Sequence, residues 1–354
     1  MSRYFSKQFK DLEPYVPGEQ PQDKKYIKLN TNESPFPPSP MAQRLARQAA
    51  GDVQLYSDPD CKELIAAAAE SFGIEKDEIM FVNGSDDVIN FAFMAFCDEE
   101  TPAVFPDVTY GFYSVIANLH HIPYEEIPVN EDFTINVSDY MNAGKTVFIA
   151  NPNAQTGIAL PACEIEKIIA SNPDNVVVVD EAYVDFGGES VLPLIHKYDN
   201  LLVCQTLSKS RSLAGARLGF GAACKELIND LNTLRYSTNP YNVNRMTSAA
   251  GVGAICDKAY FEENCEKIKK TRKWTRDRLT DLGFEVTDSS ANFLLAKSDK
   301  IGGQELYLTL KDRGILIRHF ETQRLKDYNR ITIGSDEQMQ AFIDAVEKIL
   351  EEKK

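Results

Sequence analysis

Four consecutive valines, Val176 to Val179, run directly into Asp180 and Glu181. A strand with one wet face alternates apolar and polar residues, so an unbroken apolar run marks a strand covered on both faces. Short apolar runs recur at residues 79–82, 103–105, 146–150 and 201–204. Between several of them the apolar residues fall at helical spacing, as over 62–72 and 86–96. Buried strands alternating with helices predict an α/β fold: a large domain with a mostly parallel central sheet flanked by helices.

The flanks differ from this pattern. Pro14, Pro17, Pro21, Pro35, Pro37, Pro38 and Pro40 interrupt the first forty residues and forbid long helices there. Residues 1–40 therefore read as an extended arm that packs on something else. Beyond Arg245 a helical segment over 259–282 is followed by strands at 293–295, 315–317 and 330–333. A helix near 305–313 and a last one from Asp336 complete the set. The expected layout is an arm (1–40), a large domain (41–245) and a smaller α+β C-terminal domain (246–354).

Composition excludes several classes of function. The chain of 354 residues carries a net charge of −15, opposite to what a nucleic-acid surface requires. No run approaches the roughly 20 apolar residues of a membrane helix, and residues 1–7 lack the apolar core of a secretory signal. A soluble cytoplasmic protein is expected. The seven cysteines are scattered without a CxxC pair, and none of His120, His121, His196 and His319 has a partner at metal-binding spacing. Neither disulfides nor a metal site is expected. No GxGxxG follows a strand, which disfavours a nicotinamide cofactor.

The chemistry lies where the strands end. In a parallel sheet, ligands bind beyond the carboxyl ends of the strands. Asp180 ends one strand and suits a protonated heterocycle. Residues 201–204 lead into Thr206, Ser208, Lys209 and Ser210, with Arg217 eight residues past the lysine. Hydroxyls and Arg217 suit a phosphate, and a lysine held near other cations is primed for imine chemistry. Asn83, Gly84, Ser85 and Asp86 form a turn opening a helix, whose free N–H groups suit the same phosphate. Asn151 to Gly157 form an amide-rich loop after another strand.

Taken in this order, the segments resemble fold-type I pyridoxal-phosphate enzymes of the class I/II aminotransferase group. Thr206-Leu207-Ser208-Lys209, with Leu213-Ala214-Gly215 and Arg217, is similar to that group's Schiff-base signature. The resemblance implies pyridoxal 5'-phosphate held as an imine on Lys209. It implies Asp180 on the pyridine nitrogen, Tyr183 near the ring hydroxyl and Tyr110 over the ring. It places Gly84, Ser85, Asp86, Thr206, Ser208 and Arg217 at the cofactor. Within the group, the segments at Pro14–Gly18, Lys28–Pro35, Leu55–Pro59 and Pro240–Asn244 resemble the histidinol-phosphate aminotransferase subfamily. That likeness implies exchange of an amino group between L-histidinol phosphate and 2-oxoglutarate. It also implies a homodimer in which Tyr56 and the arm complete the neighbouring site. Tyr15, Asn32, Asn292, Arg318 and Arg330 are the implied substrate contacts, with Arg330 for a carboxylate and Arg318 for a phosphate.

Three positions depart from the pattern. Many members carry Asn-Asn-Pro where this chain has Asn153-Ala154-Gln155, Asp87 stands for the usual Glu, and Ser34 for a frequent Asn. Ala154 offers no donor to the ring hydroxyl, which leaves Asn153 as the expected one. The same scaffold also serves aromatic aminotransferases and phosphothreonine-type decarboxylases, and the motifs alone leave these open.

Overall fold

The computed structural model describes residues 2–353. From the N-terminus the strands are β1 (Ile27–Leu29), β2 (Ile79–Val82), β3 (Ala103–Pro106), β4 (Tyr124–Ile127), β5 (Thr146–Ala150) and β6 (Val177–Asp180). They continue with β7 (Leu201–Thr206), β8 (Gly219–Ala223), β9 (Glu285–Val286), β10 (Phe293–Lys297), β11 (Ile315–His319) and β12 (Asn329–Thr332). The helices are α1 (Pro40–Ala49), α2 (Lys62–Phe72), α3 (Ser85–Phe96), α4 (Phe112–Leu119) and α5 (Ala162–Ser171). After these come α6 (Lys225–Thr238), α7 (Arg245–Cys256), α8 (Lys258–Asp281), α9 (Gly303–Asp312) and α10 (Asp336–Glu352).

The larger sheet runs β2-β8-β7-β6-β5-β3-β4. Pairing is parallel from β4 across to β7, and β8 lies antiparallel to both β7 and β2. The valines of β6 are fully buried between the sheet's two covered faces. Each such side chain contributes about 1.5–3 kcal/mol of transfer free energy. Register sets Asp180 beside Ala150 at the end of β5 and beside Cys204 on β7, which runs two residues further at the same edge. The α/β expectation holds.

Two strands of this sheet were not foreseen, for different reasons. β8 reads Gly-Phe-Gly-Ala-Ala and looks like a loop. Its glycine at 219 is required by packing, because a Cβ there would stand 2.3 Å from the Ser85 backbone nitrogen. That contact seats the start of α3 against the sheet. β4 is an edge strand with Glu125 and Glu126 exposed, so it lacks an apolar run.

The second sheet runs β1-β11-β12-β10-β9 and is backed by α8 and α10 around Phe293, Leu294, Ile331, Phe342 and Val346. A capping box starts α10: Ser335 Oγ accepts from Gln338 N, and Gln338 Oε1 accepts from Ser335 N at 2.9 Å. Within the arm, β1 pairs in parallel with β11 and buries Leu29 in the second core. The expected division at residue 245 falls at the start of α7, whose Ala250, Ala254 and Ile255 belong to the first core. α7 packs so closely on α1 that a Cβ at Gly253 would lie 2.6 Å from the Ala42 backbone. The break in packing therefore follows Cys256. Among the described residues no helix is long and apolar enough to cross a membrane.

Candidate active site

The ends of β2, β5, β6 and β7 deliver the expected residues to one edge of the sheet. Asp180 is only 4 % exposed there. Its Oδ2 accepts from the Tyr113 hydroxyl at 2.9 Å and its Oδ1 from the Ala182 N–H at 3.2 Å. Burial pushes this carboxyl up to about 6, against the pull of those two donors and of the Lys209 ammonium. A buried carboxylate without an adjacent counter-ion is costly, and a cationic ring nitrogen would remove that cost. Tyr113 was not singled out in the sequence. The one sequence signal is that it lies three residues after Tyr110, in the first turn of α4.

Lys209 follows β7 and is half-buried. Its Nζ donates to the Thr31 carbonyl at 3.3 Å and lies 5.9 Å from the centre of the Tyr183 ring. The Tyr183 hydroxyl accepts from Asn32 Nδ2 at 3.0 Å, and Asn32 Oδ1 accepts from Thr332 Oγ1 at 3.0 Å. Asn32 has φ +55°, and its backbone oxygen accepts from Asn292 Nδ2. Asn32 and Asn292 are both buried. They were expected to touch substrate. One N–H of each amide holds Tyr183 or the arm in place, and the buried Asn292 Oδ1 has no partner among the described residues.

A cradle for an anion lies beside Asp180. Gly84 has φ +87°, and a Cβ there would meet Arg217 Nη2 at 2.6 Å, so only glycine admits the guanidinium. Arg217 itself has φ +55°. Ser85 opens the twelve-residue α3, whose first N–H groups have no partner within the helix. Ser208 is buried nearby, its N–H donating to Thr206 Oγ1 at 3.1 Å. Thr206 Oγ1 in turn donates to the Leu218 carbonyl, so this residue braces the turn. Asp86 was expected to line a phosphate, which a carboxylate would repel. Its two oxygens accept from Arg217 Nη2 at 2.8 Å and from the Tyr110 hydroxyl at 2.9 Å, which fixes both of those side chains.

Further out, Arg318 on β11 stands directly opposite Arg330 on β12. Like charges opposite each other destabilise a sheet unless something anionic lies between them. Burial lowers the pKa of Arg330, and the neighbouring Arg318 adds to that effect. Its Nη1 donates to the Ala154 carbonyl at 2.9 Å and to Gln155 Oε1 at 3.0 Å, while its buried Nε has no partner among the described residues. Tyr15 comes from the arm and sets its ring edge-on to Tyr110 at 6.3 Å and to Phe112 at 5.3 Å. Arg318 also reaches the Val16 and Pro17 carbonyls. Residues of the arm thus lie against the site of their own chain.

Two expected residues stand apart. Asn153 is buried in its own loop, where its Nδ2 donates to the Val108 carbonyl at 2.8 Å and its Oδ1 accepts the Gln155 and Thr156 N–H groups. That spends one of its two amide N–H donors. Tyr56 is 80 % exposed, stacked on Tyr241 at 4.7 Å, with no contact to the groups above among the described residues.

Together these groups fit a phosphorylated heterocycle: a glycine-gated arginine and a helix N-terminus at one end, a buried carboxylate at the other, and a primary amine between. The chain matches the family model Aminotransferase class I and II over residues 24–346. It is 46 % identical over 352 residues to the histidinol-phosphate aminotransferase of Brachyspira hyodysenteriae, covering 99 % of each chain. It is 46 % identical to that of Clostridium botulinum strain Kyoto, again over 99 % of each. Among solved structures, the histidinol-phosphate aminotransferase of Sinorhizobium meliloti in complex with pyridoxal-5'-phosphate superposes with a TM-score of 0.90. That pair shares 24 % identity and covers 99 % of each chain. The L-threonine-O-3-phosphate decarboxylase of Porphyromonas gingivalis shares the fold at a TM-score of 0.80 and 23 % identity, over 92 % of this chain and 99 % of that one. On the full-length identities and the matched family model, the chain belongs to the class I and II aminotransferases.

Proposed function

We propose that this protein interconverts L-histidinol phosphate plus 2-oxoglutarate and imidazole acetol phosphate plus L-glutamate, using pyridoxal 5'-phosphate. The observation that carries the substrate reading is the opposed pair of Arg318 and Arg330 beside Lys209's site. Both amino donors place an anion near the aminated carbon, a carboxylate in glutamate and a phosphate in histidinol phosphate. One site serving both half-reactions needs cations that accept either. Arg330 suits the carboxylate by its guanidinium fork, and Arg318 the phosphate.

Arg217, Ser85, Ser208 and the α3 N-terminus would hold the cofactor phosphate. Tyr110 would cover the ring and Tyr183 would stand near its hydroxyl. When bound, pyridoxal phosphate supplies an electron-withdrawing ring and the carbon that receives the amino group. Asp180 would hold a proton on the ring nitrogen. Lys209 Nζ would serve as the base that moves the proton from the donor's α-carbon. Tyr15 and the arm limit access of water to that face.

The test is the visible absorption of the purified holoenzyme, titrated first with histidinol phosphate and then with 2-oxoglutarate. The expected result is loss of the cofactor band with the donor and its return with the acceptor. A band that ignores histidinol phosphate but answers phenylalanine or tyrosine would overturn the substrate reading in favour of an aromatic aminotransferase. Release of carbon dioxide without amino transfer would do so in favour of a decarboxylase.

The exposed apolar group around Val53, Leu55, Tyr56, Tyr241 and Met246 supports a homodimer, with Tyr56 reaching the neighbouring site. Light scattering of the holoenzyme is expected to give the mass of two chains. A monomer at micromolar concentration would sink the dimer.

A further inference from the structure

We propose that Gln155 is a positioning residue for the substrate carboxylate, acting by orienting the Arg330 guanidinium. This rests on the carboxylate role of Arg330 given above.

The loop from Asn151 to Gly157 is held from all sides. Asn151 exchanges two hydrogen bonds with the backbone of Leu160, and Thr287 Oγ1 donates to the Thr156 carbonyl. Gly157 has φ +75°, and its missing Cβ would fall 2.1 Å from Ser289 Oγ. Within this loop, the side chains of Asn151, Asn153 and Thr156 are turned onto neighbouring backbone. Ala154 is apolar. Gln155 is the remaining polar side chain, and it crosses to Arg330 Nη1 at 3.0 Å.

The bond is chemically selective. Gln155 Oε1 and the Ala154 carbonyl together take the Nη1 end of the guanidinium. That leaves Nε, buried and without a partner among the described residues, on the side where an oxyanion can accept from Nε and Nη2 together. A neutral amide aims the guanidinium without cancelling its charge. A glutamate in the same place would pair with Arg330 and compete with the ligand's carboxylate. A bare methylene side chain would leave the fork free to rotate within its aromatic surround, where Phe293 and Phe320 lie 5.2 and 5.6 Å from Cζ.

The experiment compares wild-type holoenzyme with Gln155→Glu and Gln155→Met. It reads three quantities: the cofactor dissociation constant, the dissociation constant of unreactive succinate from its shift of the visible band, and KM and kcat for 2-oxoglutarate. Gln155→Glu is expected to raise the succinate constant and KM by about tenfold or more, and Gln155→Met by about threefold, with kcat nearly unchanged. The cofactor constant should stay at its wild-type value in both. A kcat loss at constant KM, or a weaker hold on the cofactor, would show a general structural role and overturn the proposal. Equal succinate binding in all three proteins would also overturn it. Failure of the wild type to bind succinate at all would instead refute the carboxylate role of Arg330.

Discussion

Replacing Lys209 with alanine is expected to lower kcat for amino transfer by about 10⁴-fold. The argument is geometric before it is chemical. Lys209 is the primary amine delivered to the edge where Asp180, Tyr183 and the Arg217 cradle converge, and among the described residues its Nζ makes one hydrogen bond, to the Thr31 carbonyl. Because it is half-buried and ties no elements together except through that one bond, its loss should leave folding intact. Melting temperature should therefore move little while turnover collapses. Lys209→Arg separates two explanations of the loss. Arginine retains the positive charge but holds its proton at every working pH, so it can neither form the covalent link nor shuttle a proton. If charge alone mattered, arginine would rescue; the expectation is that it does not. Steady-state rates for the three proteins, with bound cofactor quantified after acid release, check this. Alanine or arginine variants within tenfold of wild type would remove Lys209 from the chemistry.

The sequence made the strand ends legible because burial on both faces leaves a plain mark. The valines before Asp180 and the apolar run before Lys209 could be nothing but interior strands, and their register places both residues at one edge. What escaped notice depended on partners distant in the chain. β8 is made of small residues because α3 presses on it, a fact visible only from the Ser85 side of the contact. α7 joins the first core through small-residue packing on α1, some 200 positions earlier, which the pattern change after Arg245 does not reveal. Asn32 and Asn292 lie beside Tyr183 and the arm. Which way an amide is spent, however, is decided by Thr332 and Tyr183. The loop from Asn151 to Gly157 is of the same kind. Residue type located the loop, and only the hydrogen bonds tell which side chain leaves it.

Asp180→Asn is expected to lower kcat by about 10³-fold while making the cofactor-free protein no less stable at pH 8. The two effects share one cause. The Asp180 carboxyl titrates near 6 because it is buried, above its ordinary value near 4 in an unfolded chain. A carboxyl whose folded pKa is raised favours folding most when protonated, below its unfolded value. That advantage is lost as pH rises through the folded value. At pH 8 the cofactor-free protein thus carries the cost of an ionised, buried carboxylate, at most about 3 kcal/mol for a shift of this size. Asparagine removes the charge and keeps an acceptor for the Tyr113 hydroxyl, although its NH₂ then faces the second donor and returns part of the gain. The neighbouring Glu181 is also raised by burial, to about 7, but it is common to both proteins and cancels in the comparison. Thermal melts of cofactor-free wild type and variant at pH 5 and pH 8 should therefore show the variant gaining relative stability at the higher pH. In the holoenzyme the order reverses, because the bound ring nitrogen supplies the missing cation and only the aspartate can answer it. A difference in melting temperature that is the same at both pH values would refute the assigned cost. A variant that turns over at the wild-type rate would refute the assigned role, and the two results are independent.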